Sequence, residues 1–159
     1  MPDSLTPIDW RSRGIKHVRA SEKSSSTPET LGMNREVAIS GARSGSVALW
    51  AGTNRIEPNS RTGAHHHGAL ESVIYIISGT AHMRWGDRLD FITEARPGDF
   101  IYVPPYVPHQ EINASATEVL ECVLCRSDGQ AVSVNLDIEP IEKPENVLWI
   151  DPTHPHGGV

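Results

Sequence analysis

The feature that most constrains the fold is a succession of short β-rich runs, each closed by turn-forming residues. The runs include Val47-Ala48-Leu49-Trp50, Val73-Ile74-Tyr75-Ile76-Ile77, His82-Met83-Arg84-Trp85, Phe100-Ile101-Tyr102-Val103, Glu118 to Cys125, and Val132-Ser133-Val134-Asn135-Leu136. Between them stand Glu57-Pro58-Asn59-Ser60, Ser78-Gly79, Gly86-Asp87, Arg96-Pro97-Gly98-Asp99 and Ser127-Asp128-Gly129. Strands this short, punctuated at this spacing and without a long amphipathic helix between them, predict an all-β sandwich or barrel. The run Val73 to Ile77 is apolar at every position, so one face fills the core and the other is covered by a second sheet or a second subunit, which predicts a dimer.

The ends of the chain differ from this pattern. Residues 1–35 are rich in Ser, Thr, Pro and charge, a composition that buries too little apolar surface to offset ordering entropy, and are read as a partly ordered arm. The β-rich region follows over 36–139. Residues 140–159 form a Pro- and Gly-rich tail whose apolar patch, Val147-Leu148-Trp149-Ile150, is expected to pack on the domain rather than stand exposed.

The chain has 159 residues, enough for one domain with one core. Its formal charge of -6 argues against nucleic acid or an anionic membrane as the main partner, leaving a small molecule or another copy of the chain. The start, Met1 to Trp10, lacks a basic segment followed by an apolar run, and no stretch is long enough to span a bilayer, so a cytoplasmic protein is the expectation. Cys122 and Cys125 make a CxxC inside an apolar strand, without the helix of a redox motif or the further ligands of a zinc site. Strand parity sends the two thiols to opposite faces, and both are expected to be buried and inert.

Chemistry is concentrated in Gly63-Ala64-His65-His66-His67-Gly68-Ala69-Leu70-Glu71, answered by Pro105-Tyr106-Val107-Pro108-His109-Gln110-Glu111-Ile112-Asn113. In an extended strand His65 and His67 share a face while His66 points away. Two imidazoles and a carboxylate can converge on one ion, with His109 as a fourth ligand if its strand lies beside the first. Such groups are costly to bury unless bonded or coordinated. Imidazole and oxygen ligands suit Mn, Fe, Ni, Cu or Zn, and affinity alone does not select among them. His82 is read as a half-buried strand residue, and Gly79, Gly98, Pro104 and Asn113 as structural.

These two segments resemble the motifs of the cupins, a family of double-stranded β-helix (jelly-roll) barrels. The first family motif runs Gly, five residues, His-x-His, three or four residues, Glu, six residues, Gly; here Asn59 stands in place of the leading Gly, followed by His65, His67, Glu71 and Gly79. The second is matched by Gly98, Pro104, His109 and Asn113, with Tyr106 in place of a Gly. The resemblance implies one divalent metal per chain held by His65, His67, Glu71 and His109. Seven residues rather than six separate Glu71 from Gly79, and counting back from Gly79 reaches Ser72. Either a bulge re-aims Glu71 inward, the reading preferred here, or Glu71 faces outward and three histidines bind with water.

The resemblance further implies a metal-dependent oxygenase acting on a small oxygenated organic compound, with a metal-dependent isomerase and a non-catalytic metabolite- or metal-binding module as alternatives. No catalytic residue beyond the ligands is assignable; Glu111 and His82 are the nearest candidates for a base. A sensor would carry a DNA-binding domain, for which the N-terminal arm lacks both helical periodicity and basic charge.

Overall fold

The computed structural model describes residues 6–27 and 32–148. Among the described residues, eleven strands form two sheets, with two one-turn helices, α1 (Trp10–Arg13) and α2 (Gly41–Ser44), near the N-terminus. The strands are β1 (Asn34–Ile39), β2 (Trp50–Ile56), β3 (His65–His66), β4 (Ser72–Ser78), β5 (Ala81–Trp85), β6 (Phe91–Ala95), β7 (Phe100–Val103), β8 (His109–Asn113), β9 (Leu120–Arg126), β10 (Val134–Asn135) and β11 (Glu145–Asn146). One sheet runs β1-β2-β9-β4-β7 and the other β10-β3-β8-β5-β6-β11. The two lie face to face as a jelly-roll sandwich, the double-stranded β-helix arrangement of an all-β fold. Among the described residues no helix is long and apolar enough to cross a membrane.

Strand alternation sorts side chains between core and surface. On β4, Ser72, Ile74 and Ile76 are buried while Val73, Tyr75 and Ile77 are exposed. On β9, Leu120, Cys122, Leu124 and Arg126 are buried, and antiparallel register places Arg126 opposite both Ser72 and Trp50, and Leu124 opposite both Ile74 and Gly52. From the second sheet, β5 and β8 contribute Ala81, Met83 and Trp85 opposite Asn113, Glu111 and His109. The core is therefore graded. An apolar floor of Ile56, Ile76, Leu120 and Cys122 gives way at the other end to a layer that holds His109, Arg126 and Ser72.

Turns close where the sequence places Gly and Pro. Gly79, between β4 and β5, has φ +85°, and a Cβ there would lie 2.6 Å from the Val119 carbonyl, so only glycine fits the bend. Asn113 ties the floor together: its Nδ2 donates to the carbonyls of Ile56 and Glu118 and its Oδ1 accepts from the Ser115 amide.

Several sequence expectations are corrected. The run Val47 to Trp50 is not a strand; Val47 and Leu49 are exposed, and β2 begins at Trp50, the first residue paired with β9. Parity separates the thiols as expected, but only Cys122 is buried, and Cys125 is exposed on the outer face. Tyr75, Tyr102 and Tyr106, whose direction the sequence does not decide, are exposed. In the tail, β11 pairs in parallel with β6, and the Val147 amide donates to the Ile92 carbonyl, while Leu148 is exposed. Trp149 and Ile150 of the expected apolar patch lie outside the described residues.

The alternation on β4 generates a stability prediction. Ile76 is fully buried against the floor, so Ile76→Ala should lower the unfolding free energy by about 2–5 kcal/mol. Urea denaturation should show a lower midpoint at an unchanged denaturant slope.

Candidate metal centre

β3 and β8 are adjacent, with His65 directly opposite His109. His67, two residues on from His65, returns to the same face just past the strand, where Gly68 turns the chain at φ +60°. All three rings are buried, and their centroids are 4.9 Å apart for His65 and His67, 4.3 Å for His65 and His109, and 5.1 Å for His67 and His109. One ring nitrogen from each lies within 4.8 Å of those from the others.

The tautomers follow from the partners. Nδ1 of His65 bonds the Gly63 carbonyl at 2.9 Å, Nδ1 of His67 the Val132 carbonyl at 2.8 Å, and Nδ1 of His109 the Val107 carbonyl at 2.9 Å. A carbonyl only accepts, so each Nδ1 carries the proton and each Nε2 keeps its lone pair. Nε2 of His65 and Nε2 of His109 are buried without a protein partner. Burial, then neighbouring positive charge, holds the imidazoles neutral: His65 is pushed down to about 3, His67 to about 2 and His109 to about 4. Three neutral imidazoles, each fixed through Nδ1 by a backbone carbonyl, are a donor set suited to a divalent transition metal.

Glu71 is not brought to this cluster. It is exposed, and its Oε1 accepts a 2.8 Å hydrogen bond from the Tyr102 hydroxyl on the outer side of the sheet. The expected bulge does exist on β4, but it lies between Ile76 and Ser78 against β9, at the far end of the strand. The register from Ser72 to Ile76 is regular, so Ser72 takes the inward position and Glu71 is not re-aimed. Of the four expected ligand residues, the structure brings His65, His67 and His109 together and leaves Glu71 outside the cluster. His66 points away as expected; its Nδ1 accepts from the Gly68 amide and its ring lies 5.9 Å from that of Tyr106. His82 is half-buried and bonded to Glu94, away from the cluster.

Sequence reasoning missed Arg126. This residue is 3% exposed, its Nη2 donates to His67 Nε2 at 3.3 Å, and its guanidinium lies 5.0 Å from the Trp50 ring centroid. The signal was parity, since Arg126 stands two and four residues beyond the inward-facing Leu124 and Cys122. Burial lowers it to about 9, so it remains a cation at neutral pH. Below the histidines Glu111 is buried, with Oε2 accepting from Asn54 Nδ2 at 3.3 Å. Burial pushes its carboxyl up to about 7, while Arg126 and Arg35 pull in the opposite direction.

A two-sheet jelly roll that gathers three neutral imidazoles at one end of its core belongs to the double-stranded β-helix class. Residues 52–124 match the Cupin domain family model, so this stretch of the chain is similar to a cupin domain. No curated protein matches it. Among solved structures it is similar to the polyketide cyclase RemF from Streptomyces resistomycificus, with TM-score 0.61, 18% identity, and coverage of 79% of this chain and 89% of that one. It is also similar to a protein with a double-stranded β-helix domain from Klebsiella pneumoniae, with TM-score 0.57, 18% identity, and coverage of 71% and 91%. Oxalate decarboxylase from Bacillus subtilis gives TM-score 0.58 at 23% identity, over 68% of this chain and 28% of that one, so the chain spans less than a third of that enzyme's length. At these identities the likeness is one of fold.

The buried charges give a pH dependence whose sign can be worked out for the metal-free protein. Each histidine has a folded pKa below its ordinary 6.5, so its contribution to stability is complete above pH 6.5 and lost as pH falls towards about 4, 3 and 2. Glu111 has the opposite sign: its folded value, about 7, exceeds the ordinary 4.5, so its contribution is present below pH 4.5 and lost as pH rises through 7. Unfolding measured across that range should show net acid destabilisation of the wild type below pH 6.5. Glu111→Gln should gain stability relative to the wild type as pH rises from 4.5 to 7.

Proposed function

We propose that the chain is a metal-dependent enzyme that binds one divalent transition ion through His65, His67 and His109 and oxidises a small oxygenated organic compound with dioxygen. The observation that carries the reading is the set of three Nδ1–carbonyl bonds, which leaves the Nε2 of each ring as the ligand atom in a buried cluster; those of His65 and His109 have no protein partner, and that of His67 accepts from Arg126. An ion held there supplies a Lewis acid and, if redox-active, a route for electrons to dioxygen. Three protein ligands leave room beside them for substrate oxygens.

The surrounding residues have separable tasks. The backbone carbonyls of Gly63, Val107 and Val132 hold the imidazoles in orientation and tautomer. Ile74, Leu124 and Met83, all buried, keep water from the underside of the site. Glu111, two residues from His109 on the same inward face, is the carboxyl placed to hold a proton. Its position also favours a second reading, isomerisation, in which Glu111 moves a proton on a substrate whose carbonyl is polarised. Substrate-dependent oxygen uptake separates the two, because an isomerase consumes none.

Elemental analysis of untagged protein tests the ligand set. The wild type should carry about one ion per chain. His109→Ala should lose it, whereas Glu71→Gln should retain it and change stability by no more than about 0.5 kcal/mol. A wild type that takes up no Mn, Fe, Ni, Cu or Zn, or a Glu71→Gln variant that loses its metal, would overturn the three-histidine centre.

We also propose a homodimer that covers the outer face of the β4–β7 pair. Val73, Tyr75, Ile77, Phe100 and Tyr102 project there and are all exposed, an apolar row of the kind that marks an association surface. Light scattering should give twice the chain mass for the wild type and a monomer for Phe100→Glu.

A further inference from the structure

We propose that Arg126 and Ser72 form an anchor for the carboxylate of the substrate, which makes the substrate a small acid bearing an oxygen on the carbon next to its carboxylate. The inference deepens the metal-centre reading and rests on it only for the contact made by that second oxygen.

The argument begins with what these side chains lack. Arg126 is buried at the end of the central strand of its sheet, and its Nε and Nη1 have no acceptor. Ser72, directly opposite it in the β4–β9 register, is buried with an unpartnered Oγ. Residues paired in this way carry their side chains next to each other on the same face, here the inward one. Buried donors without acceptors are destabilising, and native proteins keep few of them. Nη2, which gives one of its two N–H groups to His67, shares one edge of the guanidinium with Nε and the other with Nη1, so a planar carboxylate can place its two oxygens on either edge and leave a further lone pair for a hydroxyl.

Distance sets the size of the acid. Nη2 of Arg126 lies 3.3 Å from His67 Nε2, so the anchor adjoins the histidine cluster directly. A carboxylate on the guanidinium would bring an oxygen on the adjacent carbon up to the imidazoles, as in a 2-oxo or 2-hydroxy acid. Trp50 keeps the guanidinium in place by stacking beneath it, and Gly52 allows the indole to lie there, since a Cβ at Gly52 would stand 2.9 Å from Trp50 Cη2.

Calorimetric titration with pyruvate and with 2,3-butanedione, which differ in replacing the carboxylate by an acetyl group, provides the test. Each is titrated into wild type and Arg126→Lys, metal-free and after loading with zinc, which cannot support oxidation, and metal content is measured on every sample. The proposal expects pyruvate to bind the wild type and butanedione not to bind. It also expects Arg126→Lys to weaken pyruvate by about tenfold or more with zinc content unchanged, because an ammonium cannot reproduce the fork. Equal affinity for the two compounds in the wild type overturns it, and that comparison needs no variant to fold. Pyruvate affinity that depends on zinc but not on Arg126 overturns it too, as does failure of pyruvate, glyoxylate and oxalate alike to bind the wild type. If zinc is not taken up, the metal reading fails, and the metal-free titration still decides the anchor.

Discussion

Everything at the candidate site depends on the register of β9. It pairs along its whole length with β2 on one side and through most of its length with β4 on the other, so its inward residues are held from both sides. A slip of one residue would exchange the two faces of the strand, sending Leu120, Cys122 and Leu124 to solvent together with Arg126. The apolar members fix that register because their burial is worth more than any polar contact in the layer above. Arg126 is carried inward by the same parity, at a desolvation cost met by the Trp50 face, His67 and the through-space attraction of Glu111. The apolar floor and the polar layer are two consequences of one pairing.

The polar layer illustrates how a protein keeps ionisable groups in an apolar interior. The imidazoles solve the problem by remaining neutral and giving their one proton to a backbone carbonyl. Glu111 rests against an amide donor from Asn54 and within the field of two arginines. Among the described residues, the groups left unmet around the histidines include the Nε2 lone pairs of His65 and His109, the Nε and Nη1 of Arg126 and the Ser72 hydroxyl. Groups left unmatched in one place describe the complement of a ligand more sharply than the fold does, because the same jelly roll serves many chemistries.

Much of this was legible in the sequence because strand periodicity and turn chemistry are local. The apolar run of β4, the turn at Gly79 and the shared face of His65 and His67 need only alternation. The meeting of those histidines with His109 came from a motif rather than from parity, since adjacency of β3 and β8 is a tertiary fact. The direction of Glu71 was left between two readings because the extra residue on its strand could not be located from spacing; the pairing with β9 puts that residue near Ile77. The two-residue strands β10 and β11 are too short to leave a pattern, and β6 was overlooked because its mixed residues, Phe91 to Ala95, lack strict alternation. Arg126 was passed over as a charge ending an apolar strand, although its parity already set it inward.

The parallel contact of β11 with β6 bears on how the protein can be handled. Residues 141–147 run along the outer edge of the six-stranded sheet, and the Ile141 carbonyl accepts from the Arg84 guanidinium, which also bonds the Leu89 carbonyl. A chain cut before Ile141 would leave β6 as a bare sheet margin, with the Asp90 and Ile92 carbonyls that receive the Glu145 and Val147 amides open to any passing strand. The C-terminal segment thus serves as a selvedge, and trimming it for expression or crystallisation would invite edge-to-edge aggregation while leaving the histidine cluster, several strands away, intact.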